Sequence, residues 1–147
     1  MNNVSRPQSS GSESVMAFLK EVKGFDPAKL ADEIIAAGHE YAELDSMASN
    51  LEELKKSMLA QFQLEALAES MAPAKPGLPA GKPITNAMAE LKALADNRYT
   101  AHIEMMVDAR KEANRARARY DALKIKMELM RTMMATVRQE MQLSGRF

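Results

Sequence analysis

RYTAHIEMMVDARKEANRARARYDALKIKMELMRTMMATVRQEMQ, residues 98–142, contains neither glycine nor proline. Counted in sevens, Tyr99, Met106, Ala113, Tyr120, Met127, Met134 and Met141 fall on one line. Three residues after each of the first six come His102, Ala109, Ala116, Leu123, Met130 and Val137. Spacing of three and four with a seven-residue repeat is the mark of a helix packed lengthwise on another helix. One position further on, Arg110, Arg117, Lys124, Arg131 and Arg138 recur with the same period, so a basic stripe flanks the apolar seam.

A second seam precedes it. Asp26-Pro27 joins a good N-cap to a residue suited to the first helical position, and no proline follows until Pro73. Leu30, Ile34, Ala37, Tyr41, Leu44, Ala48, Leu51, Met58 and Phe62 trace an apolar line, interrupted by Lys55. A helix over 27–71 is expected, and Ser46, Ser49 and Asn50, weak helix formers, leave a bend or break near Asp45–Asn50 open. Residues 72–83 hold four prolines and two glycines. They predict an extended, semi-rigid connector. Thr85 then caps a last helix over 85–143, weakest at Asp96-Asn97, where the seam slips in phase. A kink there, or a short separate helix over 85–96, explains the slip. Ser144-Gly145 stops the helix.

Residues 1–11 are polar and read as a disordered tail. Over 12–24, Val15, Phe18, Leu19 and Val22 follow the spacing of a short amphipathic helix ending at Gly24. The expected fold is therefore all-α: an elongated antiparallel helical hairpin with coiled-coil packing plus a short N-terminal helix, residues 12–147 forming one helical domain. With the turn centred near Leu78, residue i lies opposite roughly 156 − i, a construction good to about one helical turn. Asp45 then faces the region of Arg110, and the stretch from Met130 onward projects past the start of the first long helix.

The 147 residues carry 20 basic and 20 acidic side chains. Residues 98–147 hold 11 of the basic and 6 of the acidic ones, net +5, leaving 9 against 14, net −5, for residues 1–97. Such a split draws the halves together or offers one of them to an acidic partner. Without cysteine there is no disulfide, thiol nucleophile or thiolate metal site, and a reducing, cytoplasmic setting is expected. No apolar run approaches a membrane span. His39 and His102 lack zinc-helix spacing, and no phosphate loop, dinucleotide fingerprint or nucleophile elbow is present. The carboxylates read as solvated helix faces. No enzyme activity, cofactor, metal, membrane or small-molecule substrate is expected.

Two surfaces remain. The Met-rich end, with Met127, Met130, Met133, Met134, Val137 and Met141, needs a cover, either the Val15–Val22 helix folded back as a three-helix end or a second chain. It predicts an adaptor or inhibitor that docks a protein partner, a second copy included. The Arg-rich face, with Arg110, Lys111, Arg115, Arg117, Arg119, Lys124, Arg131 and Arg138, is the alternative. It suits DNA or RNA phosphates, as in an accessory protein of phage or mobile-element recombination or replication. The bland reading of that face is a solvated, salt-bridged flank. A third possibility is a self-assembling scaffold subunit whose seams pair only with copies of themselves.

Overall fold

The computed structural model describes residue 20 and residues 23–145. Among them are three helices and no strand: α1 over Pro27–Met71, α2 over Asn86–Leu94 and α3 over Asn97–Leu143. The tail and nearly all of the expected 12–24 helix lie outside the described residues. At its end, the Gly24 N–H donates to the Lys20 carbonyl at 3.1 Å. The chain packs as two compact units, one with described residues 23–37 and 119–145, the other Gly38–Ala118.

In the Gly38–Ala118 unit both seams point inward as the heptads predict. Ala48, Ala113 and Ala116 are buried, with Leu51, Met58, Met106 and Ala109 half-buried. The core joins Phe62, Ala93 and Tyr99, with Met58, Leu59 and Ile103 packed against them. Burying a side chain the size of Phe62 contributes about 1.5–3 kcal/mol. The helices are antiparallel. Arg98 pairs with Glu65, His102 with Leu51, and Arg110 with Asp45 and Glu52. Those partner numbers sum to between 153 and 163, close to the constructed 156.

Two points that the sequence left open are resolved. Helix α1 covers the expected span 27–71, with no break at Asp45–Asn50. Within that stretch Asp45 and Ser49 accept hydrogen bonds from Arg110. The phase slip before Tyr99 resolves as the short separate helix that the sequence allowed over 85–96: Ala95 caps α2, and α3 begins at Asn97. Asp96 makes the break. Its Oδ1 accepts from the Arg98 N–H at 2.8 Å while its carbonyl accepts from Thr100 at 3.1 Å. A short acid that competes for backbone N–H groups suits an N-cap better than a helix interior. At the other end of α2, the Thr85 hydroxyl accepts from the Met88 N–H, as expected of a cap.

The connector is not wholly extended. Lys75-Pro76-Gly77-Leu78 is a turn closed by the Leu78 N–H on the Lys75 carbonyl at 3.2 Å, with Gly77 at φ +87°. Proline second and a positive-φ glycine third define a type II turn. The chain then returns to the end of α1. Gly81 donates to the Met71 carbonyl, and the Ile84 N–H donates to the Ser70 hydroxyl.

In the unit of 23–37 and 119–145, Asp26 Oδ1 accepts from Ala28 and Lys29, capping α1 as the Asp-Pro pair predicts. Leu30 and Met130 are buried there and line one hollow. Glu33 shares that hollow with Lys126, while Ala28 shares its groove with Met134 and Arg138, so α1 and α3 are antiparallel in this unit too. Leu123, Met127, Met134 and Val137 are half-buried. Gly145, at φ +65°, follows α3 as a helix stop. Among the described residues no helix is long and apolar enough to cross a membrane.

Candidate protein-docking surface

The groups that carry chemistry are spread out. Among the described residues no three His, Asp or Glu side chains are placed to hold a metal ion. His102 is buried, and its Nε2–H donates to the Leu51 carbonyl at 2.8 Å, tying α3 to the backbone of α1. His39 is exposed on α1.

The basic stripe divides into engaged and unengaged members. Arg110 is clamped between two acids one heptad apart. Its Nη1 donates to Asp45 at 2.6 Å, and its Nε and Nη2 grip Glu52 at 2.8 and 3.0 Å. The guanidinium holds the Glu52 carboxyl below its ordinary value, and the pair of acids makes Arg110 harder to deprotonate. Arg115 pairs with Glu112 on its own helix. Lys124 pairs with Asp121 and lies 4.3 Å over the Tyr120 ring. Tyr120 itself is half-buried, so its ring packs on the protein. Arg117 and Arg119 are exposed but also have interaction partners. Lys111, Arg131 and Arg138 are exposed, and none of them has an ion-pair partner among the described residues.

The Met-rich end is rearranged relative to its sequence reading. Met130 is only 7 % exposed, packed in the hollow that Leu30 lines, so it belongs to this chain's own core. There α1 reaches about one turn further along α3 than the construction allowed. Met127 and Met134 line an open groove with Phe25, Ala28 and Ala31, rimmed by Arg131 and Arg138. Met133 and Val137 are half-buried, and Met141 is 48 % exposed.

Phe25, Ala28 and Ala31 were not singled out in the sequence as interface residues. A signal was there. The α1 flank that carries Asp45 and Glu52 runs back by sevens to Gly38 and Ala31. Small residues thus replace acids on that flank, while the basic stripe of α3 continues.

Compared with family models, curated proteins and solved structures, the chain matches none. The fold defines an all-α protein of heptad-packed antiparallel helices.

Proposed function

We propose that the protein is a non-enzymatic adaptor or inhibitor that docks a protein partner through the Met-rich end of α3. One observation carries this reading: the open groove between Phe25, Ala28 and Ala31 on one side and Met127 and Met134 on the other. Methionines adapt to a partner's shape, and exposed apolar grooves favour association. The engagement of Arg110 by Asp45 and Glu52 supports the protein reading over nucleic acid, since the best-placed arginine of the stripe is committed within the chain. A chain free of cysteine suits a cytoplasmic setting.

The test is site-specific photocrosslinking at Met134 and at exposed Leu64 in cells, with the adducts sized and sequenced. One discrete protein adduct from Met134 and none from Leu64 supports the reading. Adducts with the chain itself that grow with concentration support the scaffold alternative. A salt-sensitive complex with short duplex or single-stranded DNA, lost on changing Arg115, Arg117 and Arg119 to Ala, supports the nucleic-acid alternative.

A further inference from the structure

We infer that the groove on the Met-rich end takes an acidic amphipathic helix whose carboxylates repeat every seven residues. The inference rests on the docking function proposed above and names the partner's chemistry. Along α3, Met127 is followed four residues later by Arg131, and Met134 by Arg138. All four line the groove. The two Met–Arg sets are one heptad apart, about 10.5 Å along the helix at 1.5 Å per residue. A ligand that satisfies both sets must carry an apolar residue and an acid with the same repeat.

The chain contains its own example of that arrangement. In the Gly38–Ala118 unit, Met106 and Arg110 form the same Met–Arg set, and the helix they face carries Asp45 and Glu52 one heptad apart on the edge of an apolar seam. Arg110 takes both carboxylates. In the other unit Arg131 and Arg138 share their groove with Ala28 and Ala31, which offer neither charge nor bulk. Neither arginine has a carboxylate partner among the described residues. Among the described residues, small side chains on α1 leave this groove unfilled and no carboxylate meets Arg131 or Arg138, so the two arginines set the sign of an occupant's flank. Charge complementarity of this kind selects partners and orientation more than it adds raw affinity.

The test uses the full chain and three labelled 21-residue synthetic helices, about three heptads in length. All share the same leucine seam. Their flank positions carry Glu, Gln or Lys. Fluorescence anisotropy should show the Glu helix binding about tenfold or more tighter than the Gln helix at low salt, the margin shrinking as salt is added. The R131E/R138E variant should lose the Glu helix and accept the Lys helix, a swap that unfolding cannot mimic. Equal binding of the Glu and Gln helices overturns the acidic partner and leaves the docking function standing. Binding of no helix, with no crosslinked partner at Met134, overturns both. A dimer of the wild-type chain that R131E/R138E converts to monomer overturns the inference in favour of a second copy.

Discussion

Arg110 Nη1 donates to Asp45 Oδ1 at 2.6 Å, joining residues 65 positions apart in the chain. The same guanidinium holds Glu52, so one side chain fixes the stagger of α3 on α1 within the Gly38–Ala118 unit. A bidentate arginine is geometrically demanding, and lysine cannot reproduce it. Arg110→Ala should lower the thermal midpoint, Arg110→Lys should recover only part of the loss, and Arg110→Glu should lower it most. Thermal melts followed by circular dichroism check the ranking. Equal midpoints for Ala and Glu would mean the two acids do not sense the position.

Acid should weaken the same unit through three carboxylates. Arg110 lowers Glu52, Arg98 lowers Glu65, and Arg98 with its backbone N–H lowers Asp96. A carboxyl held below its ordinary value contributes stability that is fully present above that value and is lost as pH falls through the lowered one. The midpoint should therefore be level from about pH 7 to 5 and fall below about pH 4. Arg98→Ala should flatten that acid limb, because two of the three carboxylates then return toward their ordinary values. Melts of both proteins across this range test it; identical limbs would reject the assignment.

The connector's two glycines should differ in kind. A Cβ on Gly81 would lie 2.5 Å from the Ser70 carbonyl oxygen, part of the α1 backbone and unable to swing aside. Gly81→Ala should cost about 1–3 kcal/mol, as overpacking does. Gly77 has open space around it but sits at φ +87°. Gly77→Ala should cost about 1–2 kcal/mol, the strain of a left-handed residue, and Gly77→Asn less. Denaturant titration separates them: Asn should rescue position 77 and not position 81.

Much of the fold was legible because the heptads were regular. Apart from Met141, every residue of the α3 seam is buried or half-buried, and the α1 seam behaves alike, Lys55 included. The register was also readable, since opposite charges at Arg110, Asp45 and Glu52 sat on facing flanks. The break before Asn97 was half legible: the phase slip showed something must yield, but only the Asp96 cap decides between a kink and two helices. The span of α1 was legible from the Asp26-Pro27 start and the proline-free run to Pro73, and the weak helix formers Ser46, Ser49 and Asn50 do not break it. Of the candidate surface, the methionines could be found by periodicity. Their division into core Met130 and groove-lining Met134 depends on how far α1 extends alongside, a tertiary quantity set by a register shift of about one turn.

The docked connector bears on the order in which the Gly38–Ala118 unit assembles. Ile84 and Ser70 meet across 14 positions, Arg98 and Glu65 across 33, His102 and Leu51 across 51, Arg110 and Asp45 across 65. Closing a loop costs only about 0.6 kcal/mol more for each doubling of its length, and every contact already made shortens the loop left for the next. Assembly therefore has a ready starting point at the proline turn and proceeds outward like a zipper. No step has to bring distant segments together through a long free search, so rapid folding is built into the order of the contacts.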